Sequence, residues 1–260
     1  MNIQFTVTGL KTGIIVPGDD ITEILLKSLR DTGLTLQDGD VMVIAENAVA
    51  TAEGALVTLS ENTPSPKALQ YADTYGMNPH LAEAVIQESD TVIGGIPGFL
   101  LCMKNGTLLP NAGIDGSNAP EGTVVCLPRD PNKSAESIRD RIHEMTGCTP
   151  IIIIADSRTH AMRLGCSGVA IGCAGTQAVV DEVGKEDLFG RELEVTKKAV
   201  ADNLASAAEL VMGEAGESVP AAIIQGLSLP MEEISGIPDI AAEECLFMGA
   251  ALNANPAMFK

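Results

Sequence analysis

The stretch DTVIGGIPGFLLCMKNGTLLP, residues 90–110, decides the fold class. It divides into three strand-length pieces, DTVIGG (90–95), GFLLCMK (98–104) and GTLLP (106–110), with Pro97-Gly98 and Asn105-Gly106 as turn formers between them. A parallel crossover needs about a dozen residues or more, so pieces this close must pair antiparallel rather than as a βαβ repeat. After NAGIDGSNAPEG (111–122) a fourth short piece, TVVCLP (123–128), follows. Short antiparallel strands with helices gathered between them predict an α+β fold of mixed, largely antiparallel sheets with flanking helices.

Outward from this centre the punctuation is regular. IQFTV (3–7) alternates and ends near Gly9, predicting a strand that runs into the loop GLKTGIIVPGDD. Asp20 precedes ITEILLKSLRD, whose Ile21, Ile24, Leu25 and Leu29 share one helical face, so Asp20 is the expected N-cap. DGDVMVIAE (38–46) turns at Asp38-Gly39 and enters a buried strand. SENTPSP (60–66) opens a helix over PKALQYADTYG, and a second is expected from Pro79 to Glu88 with Leu81, Ala84 and Val85 on one face. KSAESIRDRIHEMTG forms an amphipathic helix stopped by Gly147. PIIIIADS (150–157) is the clearest buried strand, and GVAIGCAG (168–175) a second. GRELEVTKKAVADNLASAAELVMGE (190–214) reads as one long helix capped near Thr196, VPAAIIQGL as a late strand and DIAAEECLFMGAAL as a final helix. The whole chain, 1–260, reads as a single unit, with a division into two subdomains left open.

Composition bounds the function. Lys+Arg number 16 against Asp+Glu 35, a net charge of −19, which argues against nucleic acid or an anionic membrane surface as partner, because phosphate backbones are held chiefly by Lys and Arg. Hydrophobic residues make up 45% of the 260, which excludes intrinsic disorder, while 3% aromatics and no Trp leave burial to aliphatic side chains and make base-stacking platforms improbable. The six cysteines form no CxxC pair, and the start MNIQFTVTGL lacks a basic, then apolar, leader. The apolar runs are much shorter than a membrane span, so a cytoplasmic protein with reduced thiols is expected. Neither G-x-x-x-x-G-K-[ST] nor G-x-S-x-G occurs, which removes a P-loop and lowers the prior for a serine hydrolase. His80, His143 and His160 make no metal-binding pair, and Cys166 and Cys173 are expected as small core residues.

Three acidic residues stand where an element gives way to a glycine-rich or polar turn: Asp115 in NAGIDGSN, Asp156 at the end of IIIIADS and Glu214 in VMGEAGES. Each alone is an ordinary turn or helix-end acid. Together with Ser157 and Asn118 they would suit one or two hard divalent cations, which prefer carboxylate and hydroxyl oxygens. MGEAGESVP could present successive backbone N–H groups to a phosphate, although Gly213 reads equally as a helix stop.

NAGIDGSN (111–118), IIIADSRTHAMRLGCSGVAIGCAG (152–175), DLFGRELEVT (187–196) and ADNLASAAELVMGEAGESVPAAIIQGL (201–227), taken in order with their spacing, resemble the coenzyme F420-0:L-glutamate ligase (CofE-like) family. GLKTGIIVPGDD and DGDVMVIAENAVATAEG extend the likeness over nearly the whole chain. The resemblance implies a GTP- and metal-dependent γ-glutamyl ligase that activates the acceptor carboxylate of F420-0 as an acyl phosphate for attack by L-glutamate, in an intertwined homodimer. It further implies Mg²⁺ or Mn²⁺, as one or two ions with K⁺ besides, held by Asp115, Asp156, Ser157 and Glu214. Nucleotide contacts are implied at Leu10, Asn47, Asn118, Met212, Gly213, Ala215, Gly216, Glu217, Ser218 and Val219. No general base is implied. The chain departs from the family's basic pattern at Thr51 and Ala55 and around His160 and Leu164, where cations are replaced. A folate or pterin acceptor for the same chemistry, or a catalytically weakened metal- and nucleotide-binding paralogue, are the alternatives.

Overall fold

The computed structural model describes residues 4–253. In chain order it contains β1 (Thr6–Leu10), α1 (Ile21–Asp31), β2 (Val41–Ala45), α2 (Glu46–Ala52), β3 (Leu56–Thr58), α3 (Pro66–Tyr75), α4 (Pro79–Glu88), β4 (Thr91–Ile96), β5 (Phe99–Lys104) and β6 (Thr107–Pro110). There follow β7 (Thr123–Val125), α5 (Pro131–Thr146), β8 (Ile151–Thr159), β9 (Cys166–Ala174), β10 (Val179–Asp181), β11 (Lys197–Ala199), α6 (Val200–Met212), β12 (Ala221–Gln225) and α7 (Leu246–Asn253). These elements form two compact units, one from the residues up to Asn62 with Gly113–Ile237, the other from Thr63–Ala112 with the described residues from Pro238 on.

The first unit is built on a five-stranded sheet in the order β1-β12-β2-β8-β9. Its pairings are antiparallel except for β2 and β8, which run parallel with Val41 opposite Ile151 and Ala45 opposite Ala155. VMVI and IIII bury every side chain, as central strands covered on both faces must. Met42, Ile44, Ile152 and Ile154 pack with α1 and α5 on one face, while Val41, Val43, Ile151 and Ile153 pack with α6 on the other. Each fully buried aliphatic side chain contributes roughly 1.5–3 kcal/mol relative to exposure. Gly168 on β9 permits α6 to approach, since a Cβ there would lie 2.5 Å from the Ala205 carbonyl oxygen.

The second unit contains the antiparallel sheet β4-β5-β6 expected from residues 90–110 and the helix pair α3 and α4. Ser65 and Asn78 cap those helices, each followed by proline at the first helical position. Leu100 and Cys102 are buried on one side of β5, whereas Phe99 and Leu101 alternate outward.

The mixed α+β class with antiparallel sheets and flanking helices stands, as do the Asp20 cap and the Gly147 stop. Several boundaries differ. The long helix expected over 190–214 begins only at Val200, because Lys197–Ala199 pair with Val179–Asp181 as a short hairpin. Thr196 is therefore no cap; just before β11 its carbonyl accepts from Glu182 N–H at 3.0 Å. The final helix starts at Leu246 instead of Asp239. The first strand is displaced to Thr6–Leu10, and Ile3 lies outside the described residues. Cys166 is exposed rather than core, while Cys173 is buried as expected. Helix α2 and the parallel pairing of β2 with β8 had no counterpart in the sequence reading. Among the described residues no helix is long and apolar enough to cross a membrane.

Candidate functional site

The parallel pair sets the site. β2 ends VIAE and β8 runs IIAD at the same register, since Ala45 faces Ala155. Glu46 and Asp156 therefore emerge side by side where β2 ends and β8 runs on along β9. Burial, reinforced by the charges of Asp156 and Asp115, pushes the Glu46 carboxyl up to about 8. Asp156 is raised chiefly by burial and further by Asp115 and Glu214, against the lowering effect of Arg158. The Arg158 Nε donates to Asp156 Oδ2 at 2.7 Å, which leaves the other carboxylate oxygen uncommitted by this ion pair.

The remaining acids arrive on turns. Asp115 forms a bridge with Val125, exchanging backbone hydrogen bonds of 2.9 and 2.8 Å, and its Oδ1 accepts from Ser117 N–H at 2.8 Å. That turn fixes Asp115 while Asn118, at φ 54°, reaches across 97 positions and donates from Nδ2 to the Ala215 carbonyl at 3.3 Å. Glu214 is exposed just beyond α6. Glu209, one turn earlier, is raised to about 8 by burial, by its hydrogen bond with Glu214 and by the charges of Glu214 and Asp156. Glu46 and Glu209, so raised, retain protons near neutral pH unless a cation relieves them.

The 212–219 segment is held against its neighbours by backbone contacts. Thr12 N–H donates to Ser218 O at 2.9 Å, and Ala45 N–H donates to Pro220 O at 2.8 Å. At Gly9 a Cβ would stand 2.7 Å from Val219 Cγ1 and 3.2 Å from the Val211 carbonyl, so glycine is required for β1 to pass this close. Ala215 N–H donates to Glu217 Oε2 at 2.8 Å, which means that the loop already presents an amide to an oxyanion, here its own side chain.

The residues singled out in the sequence thus fall into two groups. Asp115, Asp156 and Glu214 share one electrostatic environment, Asn118, Ala215 and Glu217 are joined by hydrogen bonds, and Ser218 is tied to Thr12. Asn47 follows Glu46 in α2, and its backbone amide lowers the Glu46 carboxyl against the larger effect of burial. Gly213 and Gly216 are exposed in the loop, whereas Met212 is buried and Val219 packs on the α6 side of the sheet. Leu10 is fully buried in the core, so only its backbone can meet a ligand. Ser157 lies opposite Gly168, the glycine beneath α6, and strand alternation puts its hydroxyl on the other face of β8 from the Asp156 carboxylate.

Glu46 and Glu209 were absent from the expected site. The repeated ending VIAE and IIAD, an apolar strand closed by Ala and an acid, is the signal that could have found Glu46. Glu209 carries no comparable mark. As a donor set, carboxylates with a hydroxyl match the oxygen preference of Mg²⁺ or Mn²⁺. Among the described residues, however, no three His, Cys, Asp or Glu side chains are gathered closely enough to make a formed metal cage.

Comparison with known proteins agrees in extent with the site. The family model described as F420-0:Gamma-glutamyl ligase matches residues 9–226. The chain is 42% identical over 221 residues to the coenzyme F420:L-glutamate ligase of Methanopyrus kandleri, covering 85% of this chain and 86% of that protein. It is 45% identical over 214 residues to the protein so named in Methanothermobacter thermautotrophicus, covering 82% and 85%. A third, from Archaeoglobus fulgidus, is 41% identical over 234 residues, covering 88% and 91%.

Proposed function

Because this chain belongs to the F420-0:gamma-glutamyl ligase family, we propose that it is a GTP-dependent ligase that joins L-glutamate to the carboxylate of coenzyme F420-0. The observation that carries the reading is the mutual influence of the Glu46, Asp156 and Glu209 carboxyls and the Asp115 and Glu214 charges near the Ala215–Ser218 loop. In the proposed reaction an acceptor carboxylate oxygen attacks the γ-phosphorus of GTP, and the bond to the β-phosphate oxygen breaks to release GDP. The glutamate amine, having lost its proton, then attacks the acyl carbon, and phosphate departs with the electron pair as the amide forms.

Asp115, Asp156 and Glu214 would hold one or two Mg²⁺ or Mn²⁺ ions, with K⁺ as a further cation; Ser157, on the other face of β8, stands apart from Asp156, and Glu46 and Glu209 add carboxylates of the same chemistry. Such ions supply charge neutralisation for the nucleotide phosphates and the leaving group. The chain's own part is positional. Asn118 ties the Asp115 turn to the 212–219 loop, whose backbone amides would face phosphate oxygens, and Asn47 and the backbone from Leu10 onward would complete the nucleotide's surroundings. Arg158 fixes one oxygen of Asp156 and so orients the other.

A homodimer acting in the cytoplasm completes the proposal. It is supported by large apolar side chains left at the surface, including Ile96 and Phe99 on one hairpin and Leu188 and Phe189 on the 182–196 excursion. Sedimentation at several concentrations tests it, and a monomer throughout would remove it.

The decisive experiment is mass spectrometry of a reaction containing F420-0, GTP, Mn²⁺ and L-glutamate, in which one or two glutamyl units should be added. Nucleotide binding without product would point to another acceptor, such as a folate or pterin, a reading favoured by the missing cations at Thr51 and Ala55. No thermal shift with any purine nucleotide and metal would overturn the ligase reading and its metal and nucleotide sites together.

A further inference from the structure

A cavity of about 690 Å³ opens at the opposite end of α2 from Glu46, between the first turns of α1 and α5 and beside Glu53. It gathers three of the chain's 16 Lys and Arg residues, Arg129, Lys133 and Arg141, although the protein as a whole carries −19. The acids around it are already engaged. Asp19 accepts from Val16 N–H at 2.9 Å, and Asp20 accepts from Glu23 N–H at 3.0 Å while facing Arg141 at 3.7 Å. Asp130 accepts from Lys133 N–H at 3.1 Å and pairs with its Nζ at 3.2 Å, and Glu53 accepts the Ser134 hydroxyl. Arg129 is exposed, and its guanidinium makes no hydrogen bond or ion pair with another described residue. Lys133 stays with Asp130, and Arg141 with Asp20 and Glu144, so the unpaired fork of Arg129 is the donor set open to an incoming oxyanion.

We propose that this cavity binds a second anionic group of the acceptor, a carboxylate or a phosphodiester, through Arg129 with Lys133 and Arg141. The inference rests on the ligase reading for its acceptor. Helix α2 has seven residues and so spans about 10 Å, which sets the order of the distance between this group and the reacting carboxylate at the Glu46 end. An anion held here is kept away from the carboxylate cluster, where without metal it would be repelled.

Calorimetric titration of the metal-free protein with inorganic phosphate, and separately with glutarate, tests binding without calling on turnover. Binding of phosphate alone identifies a phosphodiester subsite, and binding of glutarate alone a carboxylate subsite. Arg129→Gln should weaken the interaction about tenfold, as loss of a charge-assisted hydrogen bond does, and Lys133→Gln should weaken it less, both with unchanged melting temperature. No heat with either probe, or heats untouched by both substitutions, overturns the proposal. In steady-state glutamylation of F420-0 the Arg129 variant should raise the acceptor KM and spare kcat. Turnover with an unaltered KM would reject the cavity and keep the ligase, whereas probe binding lost in the Arg129 variant without any glutamylation would keep an anion site and reject the ligase.

Discussion

The two ends of α2 handle the same excess of acid in opposite ways. At its start, Glu46 meets Asp156 and Asp115, and the cation that pairs with Asp156 there, Arg158, is spent on one of its oxygens. At its end, Glu53 borders a cavity where each acid has a donor or a cation and Arg129 is left over. About 10 Å of helix thus separates a carboxylate cluster whose cation is committed from a lining of four acids and three Lys or Arg residues in which one guanidinium, that of Arg129, is unpaired. A net charge of −19 describes neither, because strand pairing and helix capping distribute the charge locally.

Asp156→Asn should break the first region most severely. Glutamylation should fall by about 10³-fold if Asp156 helps hold the catalytic cation, the scale of losing one organised electrostatic contact in a transition state. The gain in melting temperature with Mn²⁺ and GTP should disappear as well. A variant that keeps the wild-type thermal gain would show that the cluster does not need this carboxylate. Arg158 is buried and loses its charged partner in the same substitution, so the melting temperature of the metal-free variant supplies the control for folding.

Glu46→Gln should sharpen the contrast through stability. A carboxyl raised to about 8 in the fold, against about 4.3 when unfolded, makes the folded state bind more protons between those values, so stability falls as pH rises through that window. The groups that face it and enforce this are Asp156 and Asp115. The glutamine variant should therefore melt a few degrees higher than the metal-free wild type at pH 8 and show a flatter pH profile. Equal melting temperatures at all pH values would mean that Glu46 is relieved in solution. Bound Mn²⁺ should remove the variant's advantage, because the cation offsets the repulsion in the wild type.

Much of the first region was legible in the sequence. Asp115, Asp156 and Glu214 stood out because an acid at the junction of an apolar run with a glycine turn is placed by the backbone itself. The order DTVIGG, GFLLCMK, GTLLP gave the β4-β5-β6 sheet, since brief turns leave antiparallel pairing as the available solution. Glu46 was hidden because its meaning depends on parallel registry with a strand 110 positions later, Ala45 against Ala155, and no local period encodes that. Residues 190–199 misled because Glu, Leu and Lys favour a helix, while Lys197–Ala199 gain a ladder partner in Val179–Asp181 that only the tertiary fold supplies. The cavity at the other end was illegible for the same reason: Arg129 and Asp19 come together only when α1 and α5 pack on one face of the sheet.

Asp130, at the cavity end, gives the smallest effect and the opposite sign. It caps α5, and the backbone N–H of Lys133 holds its carboxyl below the usual range, outweighing a small burial effect. A depressed carboxyl contributes stability above its unfolded value of about 3.9, and that contribution is lost as pH falls through the folded value. Asp130→Ala should cost about 1 kcal/mol at neutral pH, the usual worth of an N-cap, and the deficit should shrink in acid as the wild-type carboxylate protonates. Melting curves of both proteins from neutral to acid pH measure this directly. Both gaps should close in acid, but with opposite sign: above neutral pH Glu46→Gln should melt above the wild type and Asp130→Ala below it. If both variants departed from the wild type with the same sign, the two ends of α2 would not differ electrostatically, and net charge alone would govern stability along the whole helix.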